Sequence, residues 1–393
     1  LKFNPSDPDS ARGSFSFTNR WTSSAAGASD GNAFADFLLG FPTSAQAGIG
    51  RGEENGRTNW FHFYVQDDWQ PLRKLTLNGG LRYEYNQHML ETENRLSAVD
   101  LSVPGGRFVI ASDDHGRISP SANALLPLIP VPYIASSEAR LNRSLLRPSY
   151  RRYAPRLGLA WTTPFRRETV VRAGYGIFLN QWAYSVQQAF ARNLPFFLVK
   201  NINTPTDAPF PSMRTRDILT SSTLGSIGGN TMDYGYRTEY TGTWTLSIQT
   251  ALNDSTMLDL SYMGNRTVGA DNGNLLNIPL PGPGSIDARR PIPALSSIRT
   301  IRWNGWGTYN AFTAKVERRL SRGLFYNVNY TWGKSMDDAS DPGPTAFEAN
   351  LPQDVRNLDA EKALSSYDHR HRLVTSFVYQ VSGGWQLGGA ATV

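Results

Sequence analysis

The connections between strand-like segments constrain this chain more than the segments do. Five hairpins can be traced: one within 63–85, then 153–161 with 169–179, 240–250 with 256–264, 309–320 with 324–334, and 371–380 with 385–393. Within a hairpin the turn takes about three to seven residues, whereas the gaps between hairpins run to roughly 65, 60, 45 and 35 residues rich in Pro, Gly, Asn and Ser. Structureless connections of that length are rare in compact soluble domains. Short turns alternating with long connections are expected of a sheet that crosses a membrane, tight at one rim and elaborated at the other.

The segments carry the matching pattern. In 75–85, Leu75, Leu77, Gly79, Leu81, Tyr83 and Tyr85 fall on one face, and Thr76, Asn78, Gly80, Arg82 and Glu84 on the other. The same period of two places Leu157, Leu159 and Trp161 opposite Arg156, Gly158 and Ala160. It sets Trp244, Leu246 and Ile248 opposite Thr245, Ser247 and Gln249, and Phe312, Ala314 and Val316 opposite Lys315, Glu317 and Arg319. Such alternation over about ten residues suits a tilted strand that spans a bilayer. Lipid cannot hydrogen-bond a backbone, so a spanning sheet must close on itself, with apolar residues outward and charged ones toward a wet lumen. Tyr83, Tyr85 and Trp69 are then expected at the membrane edges. A soluble sandwich or propeller also alternates, but its loops do not sort into two size classes, and the uneven hairpin spacing is not a blade repeat.

The predicted fold class is therefore all-β: a transmembrane antiparallel β-barrel, partial, with about 10–12 strands of a larger barrel, long extracellular loops and short periplasmic turns. The segment 13–19 is a candidate extra strand, and 181–193 a candidate helix within a connection. The chain lacks cysteine, which removes disulfides, thiolate metal sites and Cys nucleophiles. Its 39 basic and 33 acidic residues leave a net charge of +6 with no polybasic block, so nucleic acid is not an expected partner. The longest apolar stretch, 124–135, is broken by three prolines and cannot be a membrane helix. The start of the chain reads as neither a signal peptide nor an initiator, and its end falls within a strand. The expected organisation is thus one partial barrel domain over 1–393, an internal slice of a longer protein.

Enzymatic chemistry is not indicated. Asp67 and Asp68 are adjacent in a strand and point to opposite faces, so they cannot share a substrate. His369 and His371 have a chelating i, i+2 spacing without an evident third ligand, and the carboxylates of 337–341 lack the order of an EF-hand. The Gly-rich 48–56 is not followed by a helical pattern and reads as a loop. No catalytic residue, metal ligand or cofactor is expected.

The segments 31–42, 63–85, 153–161, 171–178, 309–338 and 367–380 together resemble, in order, the barrel of TonB-dependent outer-membrane receptors, specifically their Oar-like group. The resemblance implies a 22-stranded barrel around a plug domain, in the bacterial cell outer membrane, with uptake energised by the inner-membrane TonB complex. The plug, a TonB box and the regulatory-like β-sandwich common in the group are not recognisable in this sequence. Partners implied are outer-membrane lipid and lipopolysaccharide, TonB through the plug region, and a bulky solute: a glycan, a peptide or a metal chelate. Arg82, Glu84, Arg156, Arg172, Asp259, Lys315, Glu317 and Arg319 are the lumen-facing candidates, most expected to pair across the wall or hold the plug, the rest to touch passing solute. Arg290, Arg299 and Arg302 are expected to meet the anionic leaflet. Two other readings stand beside uptake. One is an adhesin or surface-assembly scaffold presenting loops 86–152, 180–239 and 265–308. The other is a secreted glycan-binding β protein, which requires Leu75, Leu77, Leu258, Leu260 and Val328 to be buried in a protein core.

Overall fold

The computed structural model describes residues 2–3, 13–25, 28, 30–50, 54–164, 168–180, 187–204, 210–211, 214–217, 227–235, 237–338, 340 and 351–393. Ten strands form a wall: β1 Trp60–Leu72, β2 Leu75–Asn86, β3 Tyr153–Thr162, β4 Thr169–Leu179, β5 Tyr240–Asn253, β6 Thr256–Leu276, β7 Ile298–Ser321, β8 Leu324–Asp337, β9 His371–Gln380 and β10 Gln386–Thr392. Their order across the sheet follows the chain, and every neighbour is antiparallel. This is the up-and-down meander of a barrel wall, open here at β1 and β10. Gly229–Met232 adds parallel to β7 and Ala363–Leu364 antiparallel to β8, completing a 12-stranded sheet.

Turn chemistry sets one rim. Between β7 and β8 the chain reverses through Arg322 and Gly323, with φ of 51° and 76°. Two successive positive φ values give the mirror-image turn whose twist matches that of the strands, and glycine takes the second position without a Cβ clash. The other short turns close at this same rim.

Lateral partners in an antiparallel sheet share a face, so the register defines what each side presents. One row runs Ala173, Leu246, Tyr262, Phe312, Trp332, and the next Ile248, Leu260, Ala314, Tyr330, Leu373. Leu246, Tyr262, Phe312, Trp332, Leu260, Tyr330 and Leu373 are all exposed. A continuous exposed apolar surface of this extent is tolerated only where the surrounding medium is itself apolar. Leu75, Leu77 and Leu258 are half-buried, and Leu260 and Val328 each stand 36% exposed, so none of the five lies in a protein core. The secreted glycan-binding reading loses its requirement.

The buried apolar core lies above the wall. Leu96, Val109 and Leu146 from 86–152, Phe190 and Met232 from 180–239, and Ile301 and Trp303 from 265–308 pack as one cluster. A second cluster unites Val99 and Phe108 with Leu194, Leu198, Leu295 and Ile298. The long connections are therefore a folded cap, and the Pro- and Gly-rich composition that reads as loop hides it. Two further expectations change. The connection 265–308 is largely strand, because β6 and β7 continue past the membrane as a tall hairpin. Ser14–Ser16 and Ser44–Gly50 form strands, but they pair with each other and with Phe197–Asn203, outside the wall. Gly48–Gly50 is thus strand rather than loop. Of the candidate helix 181–193, residues 181–186 lie outside the described residues, as does Asp341 of the acidic run.

Candidate functional site

The inner wall holds the predicted lumen residues in two groups. Toward the cap, Arg82 on β2 bonds Glu84 two residues along (Nε–Oε1 2.5 Å) and His62 of β1 (Nη2–Nδ1 3.0 Å). Gly80 and Gly158 leave room beside them, and a concavity of about 350 Å³ opens among Tyr64, Gln66, Asn78, Arg82 and Arg156. The Arg156 guanidinium lies 4.9 Å from the ring centroid of Phe178 on β4. Asp68 accepts from the Asn78 amide at 2.6 Å on this inner side. The neighbouring Asp67 is registered with Gly79, on the opposite face.

Nearer the turns, Arg172 donates to Gln249 Oε1 at 3.0 Å. Asp259 stands in register between Gln249 and Lys315. Lys315 Nζ lies 2.6 Å from Glu317 Oε2 on its own strand rather than on Asp259. The ion pairs of the wall run along strands, since residues two apart on one face are close enough for a short ladder and need no particular neighbour. Arg319 is exposed beside the β5–β6 turn, its backbone N–H on Ser255 O. His371, at the start of β9, is in register with Trp332 on the outward face, and its Nδ1 lies 2.7 Å from the Tyr330 hydroxyl.

The cap is fixed by buried amides that bridge its segments. Asn193 donates to Ser97 O and Asn230 O and accepts from Asn230 N–H. Gln187 donates to Met89 O and Ser144 O and accepts from Met89 N–H. Asn277 ties the β6–β7 connection through Leu295 O and Ser296 O. Glu91, wholly buried, takes Arg95 at 3.1 Å together with the N–H groups of Asn55, Glu93 and Arg95. The nearby Glu54 carboxyl is pushed up to about 8 by burial first, then by Glu91, with Arg95 opposing.

Between cap and β6–β7 hairpin lies a cleft of about 580 Å³ lined by Asp100, Ser102, Asp233, Tyr234, Arg237, Arg302, Trp303 and Asn304. Burial works to raise the Asp100 carboxyl, but hydrogen bonds from Ser102 and Arg107 outweigh it and hold the group below its ordinary range. Burial, and then Asp100, push the Tyr234 hydroxyl up. Asp233 is engaged by Gly235 N–H. The guanidiniums of Arg237 and Arg302 have no ion-pair or hydrogen-bond partner among the described residues, so the cleft presents free positive charge beside Trp303. A second cleft of about 470 Å³ shares Arg302 and Asn304 and adds Trp306, Asp338, Arg356 and Lys362. Sequence reasoning missed Arg237, Trp303 and Asn304. For Trp303 and Asn304 the one legible signal is the period-two pattern that continues upstream of Tyr309 through "IRWNGWG".

The family model for the outer membrane β-barrel domain matches residues 1–391. This chain belongs to that family. Its place is the bacterial outer membrane, and the wall described above is the membrane-spanning part. No curated protein matches the barrel in sequence. Among solved structures, it is similar to the ferric enterobactin receptor of Pseudomonas aeruginosa, with 11% identity over all of this chain and 37% of that one, TM-score 0.44. The outer membrane transporter of Escherichia coli matches at 10% identity over 86% of this barrel and 35% of its own length, TM-score 0.49. The alcaligin outer membrane receptor of Bordetella pertussis matches at 10% over 89% and 41%, TM-score 0.37. The barrel chain thus spans well under half the length of these structures.

Proposed function

We propose that this chain is the barrel portion of a TonB-dependent receptor that captures a bulky solute at its cap and admits it through the outer membrane, with energy drawn from the inner-membrane TonB complex. The observation that supports this most is the cap itself. Three connections fold into one body over the wall and leave a cleft where the guanidiniums of Arg237 and Arg302, unpaired among the described residues, sit beside an indole. Such a site suits a solute with acidic or chelating groups and an apolar body. The solute class is a glycan, a peptide or a metal chelate, and the chemistry is binding and passage rather than bond making.

The test compares deletion of the full-length gene with inactivation of TonB in the same bacterium, supplying glycans, peptides or ferric chelates as sole nutrient source. Uptake of the same compound lost in both strains, and weakened by Arg302→Ala, supports the reading. Unchanged uptake with a loss of cell adhesion or surface assembly replaces it with the scaffold reading.

A further inference from the structure

One edge of β7 lacks a neighbouring strand for part of its length. β6 runs along the other edge from Ile298 to Arg318. On the open side, Gly229–Met232 pairs with Ile298–Ile301, and β8 pairs with β7 from Gly307 to Arg318. Residues 302–306 therefore have no strand partner on that side among the described residues. The gap from Ile301 to Gly307 spans roughly 20 Å at about 3.3 Å per residue. The register with β6 also slips here: Trp306, Gly305 and Trp303 oppose Val268, Ala270 and Asp271, and Asn304 is passed over. Such a bulge re-aims a side chain and interrupts pairing, and Asn304 stands exposed.

Both clefts of the cap open onto this gap. The larger reaches Thr231 and Met232 at the end of the upper partner, the smaller reaches Asp338 just past the end of β8, and Arg302 and Asn304 belong to both. At the upper end, Asp233 N–H donates to Ile301 O at 3.1 Å. At the lower end, Trp306 N–H donates to Asp338 Oδ1 at 2.9 Å. A side-chain oxygen thus stands there where the carbonyl of a neighbouring strand would. Arg237 and Arg302 are unpaired among the described residues, whereas Asp100 and Asp233 accept from the N–H groups of Ser102 and Gly235. The charge left unmet is positive.

We propose that an extended peptide with acidic side chains adds to this edge of β7 as a short strand, its backbone bonded along 302–305 and its carboxylates held by Arg302 and Arg237. Main-chain pairing with an exposed sheet edge supplies affinity, and guanidinium–carboxylate contacts select the acidic sequence. The other two solute classes fit less well. The indoles that could stack a sugar ring are engaged, Trp303 being only 4% exposed and Lys362 Nζ lying over the Trp306 ring at 5.7 Å. A compact chelate would fill one cleft and leave the strand edge unused. The inference rests on the capture reading given above and narrows its solute to one class. It also draws Arg302 away from the anionic leaflet expected for it, and Arg290 is engaged by Asp287 and by Asn277 O.

The full-length gene product, purified from its own outer membrane in mild detergent, is incubated with a random decapeptide library, and retained peptides are identified by mass spectrometry. Enrichment of peptides carrying two or more Asp or Glu residues is expected, and an absence of enrichment overturns the inference. The best peptide is then resynthesised with alternate backbone amides N-methylated, in either of the two phases. One phase is expected to weaken binding about tenfold or more and the other to leave it nearly unchanged, because only every second N–H of an added strand points at β7. Equal affinity of both phases with the parent peptide overturns the strand pairing. Hydrogen exchange at 302–306 should slow with the parent peptide, and Arg302→Gln should weaken its binding about tenfold. Slowing by tetragalacturonate or ferric citrate, with no peptide retained, would overturn the peptide assignment and leave the capture reading standing. That reading is judged separately, by uptake in the deletion strain.

Discussion

At the scale of single residues, the outer face of the wall depends on where side chains are missing. Gly264 is such a place, because a Cβ there would overlap the Trp244 indole that lies across it. Gly264→Ala is expected to destabilise the barrel by about 1–3 kcal/mol through overpacking, read as a lower heat-modifiability midpoint with altered Trp244 fluorescence. The inner charges behave differently. Lys315 and Glu317 are both about one-third exposed, so Lys315→Gln is expected to change stability by less than about 1 kcal/mol. A change in unfolding midpoint well beyond that would mean that Lys315 carries a buried contact. Period two revealed the outward and inward faces of the strands from sequence. It was silent on partners, because whether Lys315 turns to Glu317 or to Asp259 depends on rotamers and not on alternation.

At the scale of elements, the wall and the cap are held by different forces. Wall strands are joined by backbone ladders, while the cap relies on buried amides that each serve several backbone groups. Removing one leaves those groups unpaired in a dry interior. Asn193→Ala is expected to cost the cap about 2–4 kcal/mol, since it strands Ser97 O, Asn230 O and Asn230 N–H together. Hydrogen exchange should then quicken in 94–111 and 227–232 while β2, β3 and β4 stay protected. Uniform quickening would show that cap and wall unfold as one.

Glu54 gives the cap a pH dependence of definite sign. Its carboxyl keeps a proton up to about pH 8, against an ordinary value of 4.5. Between those values the folded chain holds a proton that the unfolded chain has released, so cap stability falls as pH rises from 4.5 to 8 and levels off above. Glu54→Gln keeps the neutral shape and is expected to flatten that slope, gaining about 1–3 kcal/mol at pH 8. Exchange rates corrected for intrinsic pH effects, compared at pH 6 and pH 8, would check this. An unchanged slope in the variant assigns the dependence to another group. None of this was legible in the sequence: Glu54 is one of two adjacent acids in a Gly-rich run, and its chemistry is set by burial in the folded cap and then by the charge of Glu91, with Arg95 opposing.

At the scale of the whole molecule, the wall should meet lipid on one side and water on the other. Spin labels at Leu260, Val328 and Phe312 are expected to broaden with a lipid-soluble relaxant, and labels at Asn329 and Ser247 with a water-soluble one. The reverse assignment would invert the barrel. The strand hairpins and the membrane class were readable because connection length and alternation are local properties of the chain. The cap was not, because its core is assembled from single apolar residues scattered over three connections, Leu96, Phe190 and Ile301 among them, each surrounded by turn-forming residues.

That shared core also bears on how such a surface can vary. In proteins whose loops fold independently, specificity can be exchanged one loop at a time. Here 86–152, 180–239 and 265–308 contribute side chains to the same two clusters. A substitution that reshapes one segment presses on the other two, so heritable change in the recognition surface must be coordinated across stretches far apart in the gene. Transplanting the recognition properties of this barrel onto a relative would accordingly require all three segments to move as a set.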